Sequence, residues 1–486
     1  MASIEEIRDE RIKKINILKD AGVDPYPAKS KKDFNISEAI SRFDELSAKG
    51  VLSLVGRVMA LRGQGALVFF NFYDGTGTLQ GLLKKGEIED AKLDLFNATV
   101  DIGDFVQVSG NLFITKRGER TIQVKDWKML SKSLRPLPGE YYGLKDGEEK
   151  LRKRYLDILM NEDVKNLVLK RSKFWSSIRN FLASRDFIEV ETPALENTAG
   201  GAEARPFITH HNALDMDVYL RISAGELWQK RLMVAGLPKV FEIARIFRNE
   251  GMDAEHLQDY TQMEFYQAYS DYTEGMEMIK ELYRHIAKET FNTEKFTIKG
   301  VEVDLEKDWV VYDYADTIKK MTGIDIWFSS LEEMTAKLRE LKVEYDPKGF
   351  NKTRAIDNIW KYCRKQIAGP GFLINLPVSM EPLAKKKEDD KRVVERFQVI
   401  IAGSEVGKGF SELNDPIDQE ERFMEQAGLR EGGDEEAQVH DHDYVEAMEY
   451  GMPPTFGFGV SERLFAFLTD KPVRDCQIFP LTRPKE

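Results

Sequence analysis

Cysteine is nearly absent from this chain: Cys363 and Cys476 are the only two in 486 residues. They lie far apart, with no CxxC pattern and no histidine-rich neighbourhood, which excludes a disulfide framework and a zinc site. Both are expected to be buried thiols. Long apolar runs are also missing. No stretch approaches the roughly 18 residues that a membrane span needs, and the first residues, MASIEEIRDER, are charged rather than signal-like. A soluble, cytoplasmic protein is expected. Positive charge is in deficit, with 71 Lys and Arg against 83 Asp and Glu, a net charge of −12. That argues against nucleic-acid binding over the whole surface, so any RNA contact must be local and patterned. Neither a GxxxxGK[ST] loop nor a GxGxxG fingerprint occurs, which removes two common nucleotide-binding architectures. What is present is length and apolar content: 42% hydrophobic residues in 486 suffice for two to four domains with substantial cores.

The most informative stretch is Phe241 to Tyr266, FEIARIFRNEGMDAEHLQDYTQMEFY. It reads as two strands joined by a loop. Strand side chains alternate sides, so Arg248 and Glu250 share one face before the loop, and Tyr260, Gln262, Glu264 and Tyr266 share it afterwards. Polar groups aligned beside apolar Phe241, Ile243, Met263 and Phe265 are costly to desolvate unless a ligand uses them. A solvated hairpin face is the competing reading. The wording FRNE, a loop with His256, then YTQMEFY closely resembles motif 2 of the class II aminoacyl-tRNA synthetases, in its lysyl-tRNA synthetase version. The resemblance implies that Arg248 holds the ATP α-phosphate and the amino-acid carboxylate and that Glu250 serves ATP. It further implies that His256 and Tyr260 meet the nucleotide, and that Glu264 and Tyr266 meet the amino acid.

The N-terminal part divides differently. Ser3 and Glu6 form a capping box before a helix ending near Gly22, with Ile4, Ile7, Ile15 and Leu18 on one stripe and Arg8, Arg11, Lys13, Lys14 and Lys19 around it. The basic residues are either a solvated face or an arm that touches RNA. From Val51 to Leu130, five short alternating strands separated by turn residues predict a small barrel of OB-fold type. Of Phe69, Phe70 and Phe72, two are expected to fill the barrel. Lysyl-tRNA synthetases carry an anticodon-reading OB-fold there, and the resemblance assigns anticodon contacts to Arg57, Arg62, Phe69 and Gln80. The segment from Ser133, with RPLP and RYLD, resembles the family linker, and Arg152, Lys153 and Arg154 face either solvent or tRNA. The expected domains are a helical extension over 1–48, an OB-fold over 49–132, a linker over 133–155 and a catalytic domain over 156–486. The expected fold class is α+β multidomain, with the catalytic domain built on a mostly antiparallel sheet flanked by helices.

Within the catalytic part, apolar spacing predicts a helix over Asp163 to Arg185, followed by a strand in FIEVETPAL that ends at Pro193. Helix, strand and Pro193 resemble motif 1, which implies a homodimer, although a buried internal helix shows the same periodicity. Gly200 and Gly201 permit close backbone approach to a ligand, and by resemblance Gly201 lies at the amino-acid substrate. His210 and His211 are adjacent on a strand and point opposite ways, so they are read as structural. Glu226 follows Ser223 at a helix start, where its carboxylate stays ionised. It matches the family carboxylate for the substrate α-ammonium, though Ser-Ala-Gly-Glu replaces the usual Ala-Pro-Glu.

Glu405 and Glu412 flank a glycine-interrupted strand, and carboxylates suit Mg²⁺ together with phosphate oxygens. The resemblance assigns Glu405 to Mg²⁺–ATP and Glu412, with Tyr266, to the lysine ε-ammonium, giving Glu405, Gln398 and Glu412 as the candidate metal set. Two departures stand out. Gln398 replaces a metal-binding glutamate, and Lys408 replaces an asparagine that touches the substrate. Even spacing allows Lys408 to face Glu412 and neutralise it; alternatively Gly407 and Gly409 distort the strand and turn Lys408 away. Finally, FGFGVSERLFAF resembles a shortened motif 3, with Gly457 and Gly459 leaving room for adenine and Arg463 for the nucleotide. The catalytic set is then Arg248, Glu250 and Arg463, with Mg²⁺ as cofactor and ATP, L-lysine and tRNA(Lys) as partners. A related ligase for another amino acid and an inactive RNA-binding protein are the alternatives.

Overall fold

The computed structural model describes residues 3–63, 66–138, 146–198, 200–202, 204–345, 350–431 and 439–484. The chain forms two compact units, Met1–Lys150 and Leu151–Glu486.

The first unit is a closed barrel of β1 (Leu52–Arg62), β2 (Leu67–Tyr73), β3 (Thr78–Lys84), β4 (Phe105–Ile114) and β5 (Arg120–Ser131), in the order β1-β2-β3-β5-β4. Alternation along β2 sends Val68, Phe70 and Phe72 into the core and leaves Phe69 on the outside. The helix Ile4–Asp20 carries the expected capping box. It is not part of a separate extension, because Leu18, Ile36, Ala39, Phe43 and Leu46 share one core with the barrel. Two of its basic residues are consumed internally: Arg11 is buried and donates to Ser133 O (3.1 Å) and Ile102 O (3.0 Å), and Lys14 pairs with Asp101 at 2.7 Å. The middle of the expected linker, residues 139–145, lies outside the described residues.

The second unit is built on an eight-stranded sheet. Its order is Val310–Asp313, Gly371–Ile374, Arg396–Ile401, Ser404–Ser411, Thr455–Ser461, Asp259–Ala268, Lys239–Phe247 and Ile188–Glu189. Only the two outermost pairings are parallel. Helices Glu162–Ala183 and Tyr272–Phe291 cover one face, where Phe174, Ile178, Ile279 and Leu282 pack with Phe241, Met263, Phe265 and Phe458. The other face is left for a cavity. The expected strand FIEVETPAL is broken. Ile188–Glu189 joins the large sheet, whereas Leu195–Glu196 joins a small sheet with Met216–Leu220 and Ile208–His211. Pro193 between them has no N–H to give to a ladder. His210 pairs with Asp215 and Asp217, and His211 Nδ1 accepts from Leu214 N, so both serve the turn. Arg154 is buried against Asp157 (2.9 Å), and Arg152 donates to Arg483 O (2.5 Å). Both cysteines are buried free thiols. Among the described residues, no helix is long and apolar enough to cross a membrane.

Candidate active site

A cavity of about 410 Å³ opens on the uncovered face of the large sheet. The hairpin register, Ile246 opposite Tyr260 and Ala244 opposite Gln262, puts Tyr260, Gln262, Glu264 and Tyr266 along its wall. Arg248 and Glu250 line it too, but from the loop just past the strand end at Phe247. Arg248 Nε donates to Ile222 O (3.2 Å), which holds the guanidinium over the cavity beside Tyr260. Glu250 accepts from Arg205 N at 3.3 Å. At the mouth, His256 is exposed and tied to Asp253 (2.8 Å). Arg463 donates to Glu255 at 2.6 Å, and Glu255 also meets Lys299 at 2.7 Å. Glu462, next to Arg463, is fully buried on Arg171 and Gln477 and anchors the helix start.

The deep end is a cluster of buried carboxylates. Glu226, Glu264 and Glu412 are each no more than 5% exposed, with Tyr266 beside them. Glu264 accepts from Ala224 N (2.9 Å), Gln262 Nε2 (2.5 Å) and Tyr266 Oη (3.1 Å). Lys230, itself wholly buried, bridges Glu226 at 3.0 Å and Glu412 at 2.6 Å. Burial, with Glu226 nearby, pushes the Glu264 carboxyl up to about 7. Burial likewise pushes Glu412 up to about 8, against the pull of Lys230. Burial opposes charge on Lys230 as well, but two carboxylates within 3.0 Å outweigh it and hold the ammonium charged. Gly457 is obligatory here, since a Cβ would lie 2.1 Å from Glu412 Oε1 and 2.6 Å from the Tyr266 ring. The helix bearing Glu226 begins after Gly225 (φ +76°), and Ser223 Oγ accepts from Glu226 N at 3.3 Å. The departure at Ser-Ala-Gly-Glu is thus a left-handed turn against Thr192, which a Cβ on Gly225 would strike at 2.1 Å. Gly201 lines the cavity beside Glu226.

Lys408 does not neutralise Glu412. Its Nζ lies 3.3 Å from Glu381, a buried carboxylate that also takes Arg396 Nε at 2.9 Å. The two cations hold Glu381 below the usual carboxylate range despite its burial. The strand pairing slips between Gln398 and Ile400, opposite Gly407 at φ +150°. Of the two expectations for Lys408, the structure follows the one in which the strand is distorted and Lys408 turns away.

Glu405, Gln398 and Glu412 all line the cavity, with Glu412 at its deep end beside Lys230. Seven residues of strand separate Glu405 from Glu412 by roughly 20 Å. Gln398 accepts from Arg396 Nη2 at 2.6 Å, and Glu405 is engaged by Trp360 Nε1 (2.7 Å) and Arg364 (3.0 Å). Of these three, Glu405 offers a partly exposed carboxylate to the cavity, which fits an ion whose other ligands are phosphate and water oxygens. Among the described residues one His/Glu group has metal-like proximity, Glu420, His440 and His442. Its imidazole centres stack 3.8 Å apart, whereas two histidines on one tetrahedral ion hold theirs about 5 Å apart. With Glu420 2.9 Å from His440 it is a side-chain pairing.

On the barrel, Arg57, Arg62, Phe69 and Gln80 come together on the outer face of β1, β2 and β3: Arg62 pairs with Phe69, and Asn71 with Gln80. Arg57 stacks over Phe105 at 4.4 Å, and Gln80 Oε1 accepts from Thr121 Oγ1 at 2.9 Å.

Residues 146–483 match the family described as tRNA synthetases class II (D, K and N), and residues 52–130 match the OB-fold nucleic acid binding domain. The chain belongs to the class II tRNA synthetases. Similar proteins named lysine--tRNA ligase include those of Thermotoga maritima (44% identical), Thermosipho africanus (42%) and Thermoanaerobacter sp. strain X514 (42%). Each alignment covers 99% of this chain and 97% of the relative.

Several groups at this synthetase's cavity escape a reading of its motifs. Lys230 carried a usable signal: it stands four residues after Glu226 and so shares a helix face with it. Arg396 carried one too, two residues before Gln398 on the same strand face, whereas Glu381, Trp360 and Arg364 carried none, because each reaches the site by tertiary packing.

Proposed function

We infer that this synthetase activates L-lysine with ATP to lysyl-adenylate and transfers lysine to the 3′ end of tRNA(Lys). The observation that carries this reading is the polarity of the cavity. Its deep end is anionic, through Glu226, Glu264 and Glu412, and toward its mouth it is lined by Arg248 and by Arg463, which pairs with Glu255. A lysine fits with both ammonium groups inward and its carboxylate at Arg248. Glu226 takes the α-ammonium beside the Gly201 backbone, and Glu412 with Glu264 and Tyr266 takes the ε-ammonium. A neutral side chain would leave buried charge unmatched, which is the basis of selection. Lys408 is paired with Glu381 rather than with Glu412, which favours lysine over another amino acid.

The lysine carboxylate oxygen attacks the ATP α-phosphorus and pyrophosphate leaves. The tRNA terminal hydroxyl then attacks the carbonyl and AMP leaves. Catalysis is positioning and charge neutralisation, with Arg248 at the α-phosphate, Arg463 and Glu250 at the nucleotide, and His256 and Tyr260 near adenine and the acceptor end. Mg²⁺, bound with ATP, supplies further neutralisation of the phosphates, and Glu405 is the protein carboxylate to hold it. On the barrel, Phe69 stacks an anticodon base, Gln80 reads a base edge, and Arg57 and Arg62 meet phosphate or base. A homodimer in the cytoplasm completes the reading. It is supported by exposed Leu169, Ile188 and Leu195 (57, 48 and 49%) on the motif 1 helix and strands.

ATP–pyrophosphate exchange across the twenty amino acids tests this. Stimulation by lysine alone is expected. Stimulation by a different amino acid, or by none, sinks it, and lysyl-adenylate formation eliminates an inactive RNA-binding role.

A further inference from the structure

Lys230 does not line the cavity. It reaches Glu226 and Glu412 from behind the wall, fully buried, with the ring faces of Phe410 and Tyr266 at 5.3 and 5.8 Å. Both Glu412 carboxylate oxygens are buried without a hydrogen-bond partner, and Oε2 stands 2.6 Å from Lys230 Nζ. Lys230 thus meets Glu412 through Oε2, from behind the wall. The groups that face the ammonium are Glu226 on its own helix, Glu412 after the strand Ser404–Ser411, Tyr266 on the strand Asp259–Ala268, Tyr444 on the helix His442–Glu449, and Glu381 from the preceding loop. Glu264 stands against Glu226 and Tyr266.

We propose that Lys230 is a specificity-determining positioning residue: it holds Glu226 and Glu412 in place from behind the wall and, once a diamino acid is bound, completes a pocket whose charges cancel. With all three buried carboxylates ionised, one internal ammonium leaves two negative charges. A substrate with two ammonium groups neutralises them, with its carboxylate outside at Arg248. Without Lys230, Glu412 loses the cation that pulls against burial and keeps its proton to higher pH, because a charge is costly in a dry site without a partner. A protonated Glu412 binds an ammonium poorly and tolerates an uncharged chain. The proposal rests on lysine being the substrate.

The test is ATP–pyrophosphate exchange by Lys230→Met and the wild type between pH 6.5 and 9, with lysine and norleucine as substrates. Truncating one partner of a buried charge pair is expected to raise the lysine KM about 100-fold near neutral pH. The kcat and the ATP KM should move by less than about fivefold. The lysine deficit should shrink as pH rises and the carboxylates lose their protons. An unchanged lysine KM, a deficit equal at every pH, or an equal loss of ATP affinity overturns the proposal. Should Lys230→Met fail to fold, the double variant Lys230→Met/Glu412→Gln removes the stranded charge as well. It is expected to prefer norleucine to lysine, and continued preference for lysine overturns the proposal. A wild type that lysine fails to stimulate would instead overturn the substrate reading, so the two failures are distinct.

Discussion

Glu381 decides where Lys408 points. It is buried, yet it holds two cations, Arg396 and Lys408. Glu381→Gln removes the attraction without changing the shape. Lys408 is then free to swing toward Glu412, and Arg396 loses its carboxylate. The lysine KM is expected to rise about tenfold, and stability to fall by about 1–3 kcal/mol, the cost of an unmatched buried polar group. Glu381→Gln/Lys408→Asn should recover the KM but not the stability, because the second change removes only the wandering cation. Steady-state kinetics beside thermal unfolding separate the two effects. A double variant with the same KM as Glu381→Gln would show that Lys408 is not the cause. This residue also shows the limit of strand periodicity. Even spacing permits Lys408 and Glu412 to share a face, but a slipped pairing at Gly407 and a carboxylate 27 residues upstream set the actual direction. Glu226, Glu264, Tyr266 and Arg463, by contrast, were legible, because each lies within a motif whose local spacing places it.

At the scale of the element, alternation is reliable wherever a strand has one buried face. Strand β2 shows this: Phe69 faces out while Phe70 and Phe72 face in, at 1 and 0% exposure. The same change of side chain therefore has opposite consequences at neighbouring positions. Phe69→Ala removes an outer ring and should leave ATP–pyrophosphate exchange unchanged. Loss of one base stack, worth about 1–3 kcal/mol, should raise the KM for tRNA(Lys) roughly 10- to 100-fold. Phe70→Ala opens a cavity in the barrel and should cost about 3–5 kcal/mol of that unit's stability. Aminoacylation kinetics and barrel melting distinguish them, and a tRNA KM unmoved by Phe69→Ala would remove the anticodon role. Elements without a buried face were less legible. FIEVETPAL has the composition of one strand, but Pro193 cannot join a ladder, and its two halves belong to different sheets. The N-terminal helix has a weak apolar stripe, and its docking through Arg11 depends on carbonyls about a hundred residues away.

At the scale of the molecule, the barrel and the catalytic unit handle buried charge in opposite ways, and pH tells them apart. In the barrel, Lys132 and Lys14 overcome burial and lower the Asp101 carboxyl. The folded barrel then binds fewer protons than the unfolded chain at acid pH, so this contribution is present above the ordinary aspartate range and is lost as pH falls. In the catalytic unit, Glu264 and Glu412 sit at about 7 and about 8, above the usual 4.5. Between 4.5 and about 8 the folded unit holds protons that the unfolded chain has released, so stability falls as pH rises through that window. Lysine reverses this, since its ammonium groups pair with the deprotonated carboxylates, and its stabilisation grows with pH. Five of the six tryptophans lie in the catalytic unit and only Trp127 in the barrel, so tryptophan fluorescence of a Trp127→Phe variant follows the catalytic unit alone. Its melting temperature without lysine should drop by a few degrees from pH 6 to 8.5, and saturating lysine should raise it more at pH 8.5 than at pH 6. An equal shift at both values would mean that Glu264 and Glu412 are already ionised in the empty pocket.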